Sequence, residues 1–404
     1  MHCSCFQALV AALALVAGLQ LLYLGLLSGL HGRDQRSHYY AALFQAGSPG
    51  RPWPWEAHRE RLRRALASGG SLDAGGQYRI YRDVLRGAWE VEEEEEGEGG
   101  TGSSQDVVLA THTSLGNLHH AQQLGERWQG PVSLALFAPG AADAHLAVGI
   151  VEALATLCPP FRQWFRLHLP GLRPAGTARG RAPELCQGRC QRLLPQQPAA
   201  QCRPEAVGRH WALVVDMDMV PSQGLREAFL ALPRARQEGT PGVYVVPAFE
   251  IRHARRIPGT KAELLQLYQV GEIRPFYEEL CRRCQAPTNY SHWLNLPAGG
   301  PLRVAYQVEW RDPWEPFYIG ASSVPPYDER FKQYGFNRIS QACELHVAGY
   351  RFSVLSNAFL VHKGFKVASE FHAQKDAENQ HNKILFRQFK QDLKAKYPTT
   401  SRRC

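Results

Sequence analysis

From Asp106 onward the chain alternates short apolar runs with segments of helix length, and this pattern limits the fold more than any other feature. Val107–Ala110, Val132–Phe137, Phe165–Leu169, Trp211–Val215 and Gly242–Val246 each read as a buried strand. Leu115–Trp128 and His145–Leu157 lie between them and can form helices, the second with apolar residues at helical spacing. Such alternation predicts an α/β domain with a largely parallel sheet. Ligands of such sheets bind beyond the carboxyl ends of the strands. Thr111, His112 and the segment Asp216–Asp218 are expected at those ends. Pro170–Arg209, rich in Arg, Gln, Pro and Cys, shows no period and reads as an insertion or a divergent segment.

The N-terminal part is different. Ala8–Leu30 carries no formal charge and is long enough, as a helix, to cross the roughly 30 Å hydrocarbon core. A cleaved signal peptide usually has a shorter apolar core, so an uncleaved anchor is expected. The expected organisation is a cytosolic tail (1–7), a transmembrane anchor (8–30), a luminal stem (31–105) and a catalytic-sized domain (106–404). The stem holds turn-forming Gly47–Gly50 and Pro52–Trp55, a short helix candidate at Glu56–Ala67, and an acidic low-complexity run at Glu90–Gly102. Arg33 and Arg36 alone would put the C-terminal side in the cytosol. The Asn289-Tyr290-Ser291 sequon, with Asn289 as the glycosylation site, and the cysteines of the large domain favour the opposite, luminal placement. Cys3 and Cys5, at the border of the span, read as cytosolic thiols or palmitoylation sites.

Asp216-x-Asp218 is the motif with the most chemistry. An apolar strand delivers two carboxylates at its end, and Pro221 stops the strand. Hard divalent cations take carboxylate oxygens and keep positions for substrate phosphates. The setting is that of a Mn²⁺ site holding a nucleotide-sugar diphosphate. His362, between an apolar run and Gly364, is the candidate third ligand, and Lys363 would add charge near the diphosphate. Arg252 and Arg255, in a basic run after Glu250, could hold a phosphate or a sugar carboxylate. Trp314, in an aromatic-rich stretch, is a sugar-platform or core candidate. Cys281-x-x-Cys284 lacks a second pair to complete a zinc site and suggests a disulfide. Glu378–Tyr397 reads as a basic amphipathic helix that packs on the domain. The net charge of +9, despite the acidic run, suits a polyanionic or phosphorylated ligand. With no nucleic-acid motif, and with an anchor, a nucleic-acid role is not expected.

Several strings together carry a family resemblance: Ala212–Ser222, Val246–Arg252, Leu267–Gly271, Gln285–Ser291, Asp312–Tyr318, Tyr327–Phe331 and Phe336–His346. In these the chain resembles the β-1,4-glucuronyltransferases of the α-dystroglycan O-mannose pathway, and more distantly the glucuronyltransferase half of LARGE-type enzymes. The resemblance implies a Golgi single-pass type II membrane protein with a GT-A fold, a Rossmann-like mixed sheet flanked by helices. It implies Asp216 and Asp218 as Mn²⁺ ligands, UDP-glucuronate as donor, and a xylose-terminated O-mannosyl glycan of α-dystroglycan as acceptor, primed for LARGE-type enzymes. Alternatives are a β-1,3-N-acetylglucosaminyltransferase, or a catalytically weak luminal partner that binds glycan or a LARGE-type enzyme.

Two places depart from the relatives. Pro170–Arg209 lacks their Tyr-Pro-Asn-Asn string, and Gly335-Phe-Asn337-Arg338 stands where related inverting enzymes carry a Gly-Glu-Asp base. The catalytic base must therefore come from elsewhere. Asp328, Glu329, Glu315 and Glu344 are candidates, with Asp328 preferred.

Overall fold

The computed structural model describes residues 64, 70–72, 79–87, 106–138, 141–172, 211–233, 241–332, 334–368 and 373–404. The expected tail, anchor, Cys3, Cys5, acidic run and nearly all of Glu56–Ala67 and Pro170–Arg209 lie outside them. Among the described residues no helix is long and apolar enough to cross a membrane.

In chain order the first half contains β1 (Ser71–Leu72), β2 (Arg79–Leu85), β3 (Val107–Ser114), α1 (His120–Trp128), β4 (Val132–Phe137), α2 (Ala141–Leu157), α3 (Pro159–Trp164), β5 (Phe165–Leu172), β6 (Trp211–Val214) and β7 (Met219–Pro221). Then follow α4 (Leu225–Leu230), β8 (Gly242–Val245), β9 (Ala248–Ile251), α5 (Lys261–Gln269), β10 (Ile273–Pro275), α6 (Glu278–Gln285) and α7 (Tyr290–Asn295). The last part holds β11 (Val304–Val308), β12 (Tyr318–Ala321), α8 (Asn337–Val347), β13 (Arg351–Leu355), β14 (Leu360–Lys363) and α9 (Lys375–Lys396).

The strands form a 10-stranded sheet in the order β1-β2-β5-β4-β3-β6-β12-β8-β13-β11 and a 4-stranded sheet in the order β10-β9-β14-β7. The expected parallel block is real: β5, β4, β3 and β6 run parallel. Every residue of β4 is buried, as a central parallel strand requires. The expectation of a largely parallel sheet stops there. β12 lies antiparallel between β6 and β8, so the whole is a mixed α/β fold. β12 arrives from a distant part of the chain, and no short-range pattern announces where it inserts.

Two sequence boundaries move. β3 continues through Ser114, so Thr111 and His112 belong to the strand instead of following it. The stem does not extend to residue 105, because β2 pairs antiparallel with β5 and joins the main sheet, with the two-residue β1 on its other side as the edge. Arg79, Arg82 and Asp83 give β2 a charged look that hides its role.

The β2–β5 seam carries a pH-sensitive group. His168 is buried, and its Nδ1 accepts a hydrogen bond from the Asp83 backbone N–H at 3.2 Å. Burial, only partly opposed by Asp83, lowers the imidazole pKa from 6.5 to about 4. As pH falls from 6.5 toward 4, the unfolded chain takes up a proton that the folded chain refuses. Stability is therefore lost on acidification, on the order of 2 kcal/mol by pH 5. Thermal melting at pH 7 and pH 5 checks this; His168→Gln should flatten the difference between the two.

The smaller sheet positions the site. β14 pairs antiparallel with β7, setting His362 opposite Met219, and parallel with β9, setting His362 beside Glu250. The C-terminal end is fastened by a Cys343–Cys404 disulfide, and Cys281–Cys284 form the disulfide that their spacing suggested.

Candidate active site

Beyond β6 the chain turns before β7, with Met219 N–H donating to the Asp216 carbonyl at 3.0 Å; Met217 and Met219 are buried in the core, while Asp216 and Asp218 remain half-buried. Asp218 meets His362, with Nε2 at 3.0 Å from Oδ2, and Lys366 Nζ lies 3.8 Å from the same oxygen. Burial alone would raise the Asp218 carboxyl, but His362, Lys366 and His120 outweigh it and hold the group below the usual carboxylate range. On its far side His362 places Nδ1 2.7 Å from the Gly364 carbonyl. A carbonyl oxygen only accepts, so Nδ1 donates to Gly364, and Nε2 is the nitrogen left facing Asp218.

Asp216 has a different partner. Arg338 at the start of α8 donates from Nη1 to Asp216 Oδ2 at 3.3 Å, and its Nη2 lies 3.7 Å from Glu315 Oε2. The guanidinium also lies over the Phe317 ring, 4.4 Å from the centroid. Burial would weaken this cation, but Glu315 and Asp216 more than compensate and raise its pKa. Glu315 is buried too, and burial pushes its carboxyl up, with Arg338 pulling it back down. Among the described residues no three His, Cys, Asp or Glu side chains converge on one point. Asp218 and His362 touch, while Asp216 is held by Arg338.

A cavity of about 540 Å³ opens beside this cluster, with His112, Tyr277, Glu315, Tyr334, Arg338 and Lys366 in its wall. Arg283, Lys375 and Lys383 add positive charge, and the Cys281–Cys284 disulfide forms part of the lining. Asp216 lines a small adjoining pocket with His112, Phe317, Tyr327 and Arg338. His112 is kept neutral by burial, although Asp216 and Asp218 both pull its pKa upward. The fully buried Glu250 accepts from the backbone N–H groups of Tyr277 (2.8 Å) and Lys366 (3.1 Å) and from Arg274 Nε (3.0 Å). One carboxylate thereby fixes two segments of the wall.

A family model described as "Glycosyl-transferase for dystroglycan" matches residues 106–398, which include the acidic pair, Glu315, Arg338 and His362. The chain belongs to this family of glycosyltransferases. Two similar relatives named Beta-1,4-glucuronyltransferase 1 come from Danio rerio, 47% identical over 100% of this chain and 99% of the relative, and from Homo sapiens, 50% identical over 100% and 98%. Xylosyl- and glucuronyltransferase LARGE1 of Homo sapiens is 27% identical over 73% of this chain and 36% of its own length.

Within this glycosyltransferase, several residues singled out from sequence lie elsewhere than expected. Trp314 is no sugar platform: it is fully buried, donates from Nε1 to Thr288 Oγ1 at 3.0 Å and packs edge-on to Phe352. Arg252 and Arg255 do not reach the cavity wall and both pair with Glu272, at 3.6 and 3.1 Å. Asp328 is gripped by Arg330, with Nη2 at 2.6 Å, and is absent from the wall, as is Glu329. Glu344 is buried against Lys396 (2.6 Å) and Tyr397 (2.9 Å), where it holds α9. Thr111 is buried next to His112 but does not line the cavity. Lys363 is exposed at the end of β14, where its charge acts on His120. Of the proposed bases, Glu315 alone lines the cavity. Sequence reasoning missed Arg338, Tyr277, His120 and Lys366 as site residues. The departure at Gly335–Arg338 was the one signal available for Arg338.

Proposed function

We propose that the chain is a Mn²⁺-dependent, inverting GT-A glycosyltransferase that transfers glucuronic acid from UDP-glucuronate to O4 of a β-linked xylose. The acceptor is the O-mannosyl glycan of α-dystroglycan, and the product primes extension by LARGE-type enzymes. The names of the relatives support donor and linkage. The observation that carries the chemistry is the Asp218–His362 contact at the end of β6, beside the Arg338–Glu315 pair in one cavity wall.

Asp218 and His362, which touch, fit part of a Mn²⁺ ligand set, and Asp216 would complete it by leaving Arg338. The Gly364 carbonyl fixes the imidazole so that Nε2 is the nitrogen turned toward Asp218, and carboxylates with imidazole suit Mn²⁺. Asp216, Asp218 and His362 would hold it; when bound, Mn²⁺ supplies Lewis-acid neutralisation of the departing UDP. Lys366 adds a fixed positive charge on the same side. Glu315 is the base that takes the proton from the acceptor hydroxyl; burial raises its carboxyl and Arg338 partly offsets that rise. Attack by the freed oxygen opposite the leaving UDP turns the α-bond of the donor into a β-bond in one displacement.

The test incubates the protein with Mn²⁺, a β-xyloside and a panel of UDP-sugars, and assigns the product linkage by NMR. Preferential transfer of N-acetylglucosamine, or an α-linked product, overturns the reading. Full activity in excess EDTA overturns its metal part.

The proposed location is the Golgi membrane, single-pass type II, with the catalytic domain in the lumen. Asn289 is exposed and caps α7: its Oδ1 accepts from His292 N–H (3.3 Å) and from Ser291 Oγ (3.1 Å). A glycan would attach at Nδ2, leaving both bonds in place. Glycosidase treatment should increase the gel mobility of the wild type and leave Asn289→Gln unchanged. A wild type without N-glycan, cut by protease added outside sealed vesicles, would refute the topology.

A further inference from the structure

A second concave site lies at the other end of α9, away from the residues that the proposed reaction uses. It has a volume of about 310 Å³, and its lining includes Lys390, Lys394, Arg402 and Arg403 but no Asp or Glu. Arg402 Nη1 donates to the carbonyls of His346 and Tyr350, both at 3.3 Å. Arg403 Nη1 donates to the carbonyls of Thr400 (2.6 Å) and Arg402 (2.8 Å). Lys390 Nζ lies 5.1 Å from the Phe386 ring centroid. These partners orient the cations without neutralising them. Nearby acids are engaged elsewhere: Asp392 with Arg330 at 2.8 Å, and Glu344 with Lys396 at 2.6 Å. The Cys343–Cys404 disulfide ties the arginine-bearing tail to α8, so the like charges cannot simply drift apart.

The same helix, α9, contributes to the groove and to the catalytic cavity. Lys383 lines that cavity, and Lys383, Arg387, Lys390 and Lys394 recur at positions i, i+4, i+7 and i+11 of the single helix α9. Such spacing puts them along one face, over about 16 Å of helix axis. Three of these four side chains are exposed and Lys390 is half-buried.

We infer that this face of α9 is a binding track for an anionic acceptor, whose phosphate- or sulfate-ester groups occupy the Lys390–Arg402 groove while its sugar end lies in the cavity. This rests on the acceptor reading of the cavity given above. Ester oxyanions suit the groove because guanidinium groups bind them through paired N–H donors, and an ammonium group adds a point charge. An uncharged glycan would leave the clustered cations repelling one another.

The experiment titrates the full-length protein in detergent with inorganic tripolyphosphate and with a heparin hexasaccharide, which separates phosphate from sulfate preference. The wild type should bind one of them in a salt-sensitive manner. Lys390→Ala/Lys394→Ala and, separately, Lys394→Glu should weaken that binding by about tenfold, as expected for lost charge-assisted contacts. Transfer to a short, uncharged β-xyloside should stay within about twofold of wild type, since neither lysine lines the cavity and their loss falls among ordinary surface substitutions. Equal affinity of wild type and both variants, or no binding of either probe to the wild type, overturns the track. Because binding is read without turnover, absence of glucuronyl transfer would count against the proposed reaction and not against the groove.

Discussion

Asp218→Asn is expected to reduce glucuronyl transfer to below ~1% of wild type, because it would remove a charged oxygen from the proposed Mn²⁺ ligand set. The fold should survive. Asp218 is half-buried, and the packing there comes from Met217 and Met219. Asp216→Asn should have a similar effect on turnover, and it also takes a negative partner from Arg338. His362→Ala should weaken Mn²⁺ binding by roughly 10- to 100-fold, with part of the activity recovered at high Mn²⁺. Mn²⁺ binding followed by electron paramagnetic resonance, beside the transfer rate, checks all three. Wild-type turnover by Asp218→Asn would remove the basis of the metal assignment.

Glu315→Gln should lower kcat by about 10²- to 10⁴-fold, the usual contribution of a general base, with UDP affinity unchanged. Gln keeps the size of the side chain, so the contact region of Arg338 remains filled. Asp328→Asn is the comparison. That carboxylate is held by Arg330 outside the cavity wall, and its loss should leave transfer near wild type. The reverse ranking would return the role to Asp328, which the sequence alone had favoured. The pH profile discriminates further. Burial raises the Glu315 carboxyl, so wild-type kcat should fall on acidification at a pH above that of an ordinary exposed glutamate, and the Gln variant should lose that limb.

The parallel block was legible because a strand buried on both faces writes an apolar run, as β3 does over Val107–Ala110 and β4 along its length, and β6 is apolar throughout although only its Leu213 is fully buried. The acidic pair was legible for a related reason: it interrupts such a run at its end. β12 and β14 were not located in the sheet order, since their neighbours are set by partners far along the chain. The site residues divide in the same way. Glu315 could be named as an acid in an aromatic stretch, but only its placement against Arg338 separates it from Asp328 and Glu344. Trp314 shows the converse. An aromatic in a Pro-rich stretch has the same local signature whether it faces a sugar or the core, and here Thr288 and Phe352 enclose it.

The pairing of β14 with β7 and β9 also has a consequence for biosynthesis. Asp218 and His362 are separated by 144 positions, and the strand that carries the histidine is docked in register only after both partners exist. The β3–β6 block can pair from earlier parts of the chain, whereas the contact that organises the acidic pair must wait for almost the whole domain to leave the ribosome. Long-range pairings of this kind form late and slowly. A ribosome-stalled or prematurely terminated chain ending before Leu360 would lack the imidazole and the strand that aims it. Catalytic competence is thus coupled to completion of β14, and shorter products would be inert toward the sugar donor.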